Sequence, residues 1–301
     1  MAAKRTFVDA NLPEKAVAAA AQVLRERPSA LISDIDGTLS PIAASPEEAV
    51  VLPECRRALE ALASRLDLVA VISGRTAAEA RRMVGLNGLL YVGNHGLERW
   101  DRVHAYRNDA AAFESDIQEL RARLENELRA VPDVRVEDKG VILSLHYRGA
   151  SRPEEVRQQI LRLLGRLLPS ARFVVAEGKM VVEVRPPLAP NKGTVVEGLI
   201  REHGLRGAVF LGDDVTDVDA IRALKRLRDS GLGALAIGVA GDGMPDDLAR
   251  ESDLLLPGPM AVAAFLASLS NVLANGSNTS SSPQTPLGRD VGRRSSSGGR
   301  E

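Results

Sequence analysis

The stretch Leu31-Ile32-Ser33-Asp34-Ile35-Asp36-Gly37-Thr38-Leu39 decides the fold. Its apolar start reads as the end of a buried parallel strand, because strands covered on both faces are near-continuous apolar runs. Asp34 and Asp36 follow at once, at the carboxyl end of that strand, where open α/β sheets bind their ligands. Gly37 permits a tight turn there. Two carboxylates at i and i+2 can share one cation, and magnesium takes hard oxygen ligands together with substrate phosphate. A carboxylate can also attack phosphorus and carry it as an acyl phosphate. The plainer alternative is a strand followed by a solvated acidic turn, and the rest of the chain decides between them.

The same pattern recurs on either side. Leu68–Ile72 and Leu89–Val92 are apolar runs that end in Ser73-Gly74-Arg75 and in Gly93-Asn94-His95-Gly96. Helices are expected between them, over 53–65, where Leu59, Leu62 and Leu66 fall near helical spacing, and over 76–84. This βαβαβ order predicts an α/β, doubly wound parallel sheet of Rossmann-like type. After it the pattern changes. A hairpin is expected over 98–106, an amphipathic helix over 109–131, and alternating strands at 134–137 and 141–147. A helix over 154–168 and a hairpin of 172–176 with 180–184, turning at Gly178, complete an α+β insert. Beyond Pro186-Pro187 the parallel pattern resumes: a helix over 192–203 opened by Asn191, a strand over 208–211 ending in Gly212-Asp213-Asp214, a helix over 216–228, strands at 234–239 and 253–256, and a helix over 260–272. The expected organisation is an N-terminal segment and helix (1–27), a core (28–97 plus 188–272), the insert (98–187), and a disordered tail (273–301) with little to bury.

Composition sets bounds. The 301 residues are 45% hydrophobic and 26% charged with a net charge of −1, which gives no electrostatic case for nucleic acid or an anionic membrane. No run approaches the ~20 apolar residues of a membrane span. Asp9, Glu14 and Lys15 interrupt any secretory apolar region. One cysteine, Cys55, forbids an internal disulfide and reads as a packed core thiol. A cytoplasmic protein is expected.

Four strand ends carry chemistry: Asp34/Asp36, Ser73/Arg75, Asn94/His95 and Asp213/Asp214/Asp217. In a parallel sheet they face one edge, and Lys192 opens a helix packed on the same sheet. The set suits phosphoryl transfer, in which positioning and charge neutralisation do most of the work. Asp34 is the expected nucleophile and Asp36 the general acid and then base. Ser73, the amides after it and Lys192 are expected to bind phosphate oxygens, and Asp34 and Asp213 a magnesium ion. Each piece has a structural alternative: Ser-Gly-Arg as a turn, Lys192 as a solvated charge, the Asp213–Asp217 run as a helix cap. Asp219 is left in the structural class.

The order Asp34-Ile35-Asp36-Gly37-Thr38, Ser73, Lys192, Gly212-Asp213-Asp214 resembles the four motifs of the haloacid dehalogenase superfamily of phosphatases, and the position of the insert resembles its type-2 (C2B-like) cap. More narrowly, Gly93-Asn94-His95-Gly96-Leu97-Glu98, Gly178-Lys179-Met180-Val181-Val182-Glu183-Val184-Arg185-Pro186 and Gly212-Asp213-Asp214-Val215-Thr216-Asp217 resemble the trehalose-6-phosphate phosphatase family. The resemblance implies a hydrolase core with a cap, Mg2+ as cofactor, and hydrolysis of trehalose 6-phosphate through an aspartyl-phosphate. It implies metal ligands among Asp34, Asp36, Asp213, Asp214 and Asp217. Substrate contacts are implied at Gly74, Arg75, Asn94, His95, Glu98, Arg148, Lys179 and Glu183. A monomer is expected, acting on a small sugar phosphate and paired in function with a trehalose-phosphate synthase. The chain departs from the family at Val218, where an acidic residue is usual. Competing expectations are a phosphatase for a glucosyl- or mannosyl-phosphoglycerate or for sucrose phosphate, a phosphotransferase, and an inactive binding module.

Overall fold

The computed structural model describes residues 12–43, 45–101, 105–108, 111–128, 131, 133–168, 172–178, 180–187 and 190–276. The core is an eight-stranded sheet. Its central strand, β1 (Ser29–Ser33), is buried along its whole length. On one side it pairs in parallel with β10 (Gly207–Gly212), which leads to β11 (Gly233–Val239) and β12 (Leu254–Leu256). On the other it pairs in parallel with β2 (Leu68–Ile72) and then β3 (Leu90–Gly93). The apolar runs read from the sequence are therefore the buried parallel strands they were expected to be.

Helices cover both faces. α1 (Leu12–Val23), α2 (Pro53–Ala63), α3 (Ala77–Val84) and α9 (Pro259–Gly276) lie with one apolar layer, built on Leu31, Val69, Val71, Val209, Leu211 and Phe265. α6 (Lys192–Glu202), α7 (Val215–Asp229) and the short α8 (Asp246–Glu251) lie with the other, built on Ile32, Ile72, Phe210 and Ile221. Alternate residues of β1 thus feed opposite layers, as the period of a strand requires. Cys55 is buried in the first layer, and burial pushes its thiol up to about 12, in keeping with a packing role.

A second unit follows β3. α4 (Glu114–Leu128) and α5 (Pro153–Leu167) cover a four-stranded antiparallel sheet in the order β6 (Arg135–Asp138), β7 (Leu143–His146), β9 (Val181–Arg185), β8 (Val174–Gly178). Leu120, Leu124, Leu145, Ile160, Val182 and Val184 form its own core. Paired positions Glu137, Ser144, Glu183 and Ala176 lie in one row across the sheet, on the face opposite those apolar residues.

Two expectations need correction. The hairpin β4 (Glu98–Asp101) and β5 (Ala105–Asn108), grouped with the insert from its alternation, pairs antiparallel with β3 and extends the core sheet. Alternation identifies a strand but not its partner. The last helix runs to Gly276, so residues 273–276 are helical rather than tail, and 277–301 lie outside the described residues. α8 is a further element, six residues behind Pro245, that the sequence reading did not assign. Among the described residues, no helix is long and apolar enough to cross a membrane.

Candidate active site

The carboxyl ends of β1 and β10 and the first turn of α6 meet. Lys192 Nζ donates to Asp34 Oδ1 and to Asp217 Oδ1, each at 2.6 Å, and all three side chains are buried. The local sequence explains the placement. Asn191 caps α6 by accepting the Thr194 N–H, which puts Lys192 in the first turn with its stem toward the sheet. Asp217 lies in the first turn of α7, and its Oδ2 accepts the N–H groups of Asp213 and Asp214 at 3.0 Å each. A capping box therefore also holds one side of the charged cluster.

Asp34, Asp213 and Asp217 each bring a carboxylate oxygen within 4.8 Å of the others. One ammonium faces three carboxylates in a nearly dry volume. Burial raises the Asp34 carboxyl well above the ordinary range against the pull of Lys192, and Asp217 and Asp213 raise it further. Burial and then Asp217 push Asp213 up to about 7. Burial would lower the Lys192 ammonium, but Asp217 and Asp34 outweigh it and hold it above its usual value. The surplus of hard, negative oxygen is what a divalent cation relieves, so the three residues fit a metal ion. Gly37 has φ +84°, and a Cβ on it would stand 2.0 Å from Asp213 Oδ2, so only glycine lets the β1 turn come this close. Thr38 Oγ1 donates to Asp213 Oδ1 at 3.2 Å.

The other two acidic residues named from sequence turn away from this cluster. Asp36 is forked to Arg75, with Nε on Oδ2 at 2.7 Å and Nη2 on Oδ1 at 2.8 Å. Asp214 is the N-cap of α7 and accepts the Val215 N–H at 2.7 Å. Ser73 is buried, and its Oγ accepts the Arg75 N–H at 3.1 Å.

A second cluster stands where the two units touch. His95 Nε2 lies 3.3 Å from Glu183 Oε2. Lys139 Nζ donates to Glu183 Oε1 at 3.2 Å and to the Gly74 carbonyl at 3.1 Å, and Ser144 Oγ donates to Glu183 Oε1 at 2.9 Å. Asn94 Nδ2 donates to the Lys139 carbonyl at 2.9 Å. Burial alone would raise the Glu183 carboxyl, but the His95 hydrogen bond and the charges of Lys139 and Arg185 hold it below the carboxylate range. Burial lowers the His95 imidazole more than Glu183 raises it, so the ring is neutral near pH 7 and its proton belongs on Nε2. A Cβ on Gly74 would stand 2.8 Å from the His95 ring, which explains a glycine there.

Sequence reasoning missed Lys139, because a lysine in an Asp-Lys-Gly turn reads as solvated. The only cue was the turn itself, in which Asp138 Oδ1 accepts the Gly140 N–H. Glu98 is placed differently from expectation. It is buried under the site, where its carboxylate accepts the Ala77 N–H at the start of α3 and the Asn94 amide. Arg148 is exposed and donates to the Ala43 carbonyl at 3.3 Å. Lys179 lies outside the described residues.

Comparison with known proteins agrees with this geometry. The chain is 37% identical over 227 residues to a trehalose-phosphate phosphatase of Mycolicibacterium paratuberculosis, spanning 71% of this chain and 56% of that protein. It is 34% identical over 242 residues to probable trehalose-phosphate phosphatase 2 of Oryza sativa subsp. japonica, spanning 71% of this chain and 62% of that protein. The chain thus spans little more than half the length of the curated relatives it matches. Its fold superposes on the C-terminal domain of C. albicans trehalose-6-phosphate phosphatase with a TM-score of 0.71 over 86% of this chain and 96% of that chain, at 23% identity. The sequence profile of the trehalose-phosphatases matches residues 32–242, more than half of the chain. The chain therefore belongs to the trehalose-phosphatase family.

Proposed function

We propose that this chain hydrolyses trehalose 6-phosphate to trehalose and phosphate. The observation that carries the reading is the buried Asp34–Lys192–Asp217 cluster beside Asp213, at the carboxyl edge of the core sheet. Asp34 is the nucleophile: its free oxygen attacks phosphorus, and the bond to the sugar oxygen breaks. Asp36, released from Arg75 and protonated from solvent as the substrate enters, gives that proton to the leaving alkoxide. Asp36 then takes a proton from water, whose oxygen attacks the aspartyl-phosphate and regenerates Asp34. Lys192 holds Asp34 in place and offsets phosphoryl charge, while Ser73 and the amides after it receive phosphate oxygens. Asp34, Asp213 and Asp217 would hold Mg2+, with the Asp36 carbonyl as a further ligand, and the ion would supply charge neutralisation at the phosphoryl group.

In this reading the four-stranded unit is a cap over the core. Glu183, Lys179, Asn94 and His95 read the sugar, and Gly74 and Arg75 line its phosphate end. The contacts of Glu183 support the assignment, since a buried carboxylate held ionised is a ready acceptor for sugar hydroxyls. The substrate would come from a trehalose-phosphate synthase, with the chain acting as a cytoplasmic monomer. The test is phosphate release over a panel of sugar phosphates, with magnesium and with excess chelator. Trehalose 6-phosphate should be the best substrate, and chelation should abolish turnover. Full activity in chelator, or a preference for a glycerate-linked or sucrose phosphate, would overturn the corresponding part.

A further inference from the structure

The polar face of the four-stranded sheet approaches the core unevenly. On the β6–β7 side it is tied down: Lys139 to the Gly74 carbonyl, Arg135 to Glu47, Arg148 to the Ala43 carbonyl. On the β8–β9 side a cavity of about 410 Å³ keeps the two units apart. Arg185 of β9, Lys192 of α6, Thr216, Val218 and Asp219 of α7 and Pro245 line it. The volume falls in the range of small-molecule sites.

We propose that this cavity receives the part of the leaving group farthest from the phosphate, and that Asp219 reads its hydroxyls from the core side. The proposal rests on the phosphatase reading above and adds a specificity residue outside the cap. Three observations carry it. First, among the described residues the Asp219 carboxylate has no hydrogen-bond or ion-pair partner, although it is half-buried and lines the cavity. A carboxylate so placed is an acceptor in want of a donor. Second, the lining carries both signs: Asp219, Asp246 and Asp247 stand around the same space as Arg185 and Arg222. Carboxylates and guanidinium groups in one lining, with Pro245 as an apolar wall, suit a neutral polyhydroxylated ring. An anion would meet the three carboxylates and a cation the two arginines. Third, Asp219 is rigidly placed relative to the reacting atoms. A Cβ on Gly193 would stand 2.6 Å from the Asp219 carbonyl oxygen, so the glycine lets α6 and α7 close up and sets Asp219 beside Lys192, which bonds Asp34.

The experiment compares wild type, Asp219→Ala and Asp219→Asn on trehalose 6-phosphate and on p-nitrophenyl phosphate, whose leaving group is too small to reach the cavity. Asp219→Ala should lower kcat/KM on the disaccharide phosphate by about tenfold or more, mainly through KM, and change the aryl phosphate less than about twofold. Asp219→Asn, which keeps the shape, should lie between, and trehalose should inhibit both variants more weakly than wild type. Equal losses on both substrates, or no loss on either, would overturn the proposal. If the wild-type chain instead prefers another glycosyl phosphate, the substrate reading falls. The same ratio, taken on that ester, then judges Asp219.

Discussion

The two charged clusters of this molecule are built differently. Asp34, Lys192 and Asp217 belong to one unit, and each side chain is fixed by a strand end or a helix start. Glu183, Lys139 and His95 join two units, and their partners include a backbone carbonyl, a hydroxyl and a neutral ring. The first cluster is set within one unit, whereas the second depends on how the two units meet. On the proposed function, chemistry that needs a fixed anion falls to the first, and recognition of the sugar falls to the second.

Substitutions separate the two clusters, beginning with the largest effect. Asp34→Asn keeps the shape and removes the attacking anion. Turnover should fall by about 10⁴-fold or more while substrate binding persists, read by phosphate release and by calorimetry. Lys192→Met leaves two buried carboxylates without their ammonium, so unfolding stability should drop by about 3–5 kcal/mol in denaturant titration. Substitution in the second cluster should do less to stability and more to selectivity. Glu183→Ala should lower kcat/KM on trehalose 6-phosphate by about 10- to 150-fold, with little change on an aryl phosphate. If Glu183→Ala instead unfolds the chain as Lys192→Met does, the distinction between the clusters is lost.

Acidity gives a smaller effect with a definite sign. Glu183 is held below the carboxylate range in the folded chain. Its contribution is therefore full above the unfolded value of about 4.3 and is lost as pH falls below it toward the folded value. The contact between units should loosen in that window, read as faster proteolysis of the β6–β9 unit, and Glu183→Gln should remove the dependence. The smallest effect belongs to Glu47 and Arg135, which pair across the units at the surface with side chains 59% and 51% exposed. Glu47→Gln should cost under about 1 kcal/mol, and less in high salt.

The first cluster was legible in the sequence and the second only in part, for the same physical reason. Asp34, Ser73, Lys192 and Asp213 each stand at an element boundary that apolar runs and caps announce, and parallel topology sends such boundaries to one edge. Lys139 stands in a turn between alternating strands, where nothing local separates a bridging ammonium from a solvated one. Glu98 had the right neighbourhood and a different task, since a carboxylate near a helix start serves the N–H groups there equally well. The pairing of β4 with β3 was hidden because a strand pattern carries no address. The cavity beside α7 was hidden because it depends on how two separately folded units stand against each other.

The position of β1 bears on how this chain breathes. Three strands lie on one side of it and four on the other. Exposing its amides to exchange means breaking ladders with both β10 and β2, so they should be among the slowest in the molecule to take up deuterium. The strand that carries Asp34 is in that sense the still point of the fold. Among the described residues the four-stranded sheet pairs with no strand of the core, so its ladders can open without breaking those of β1.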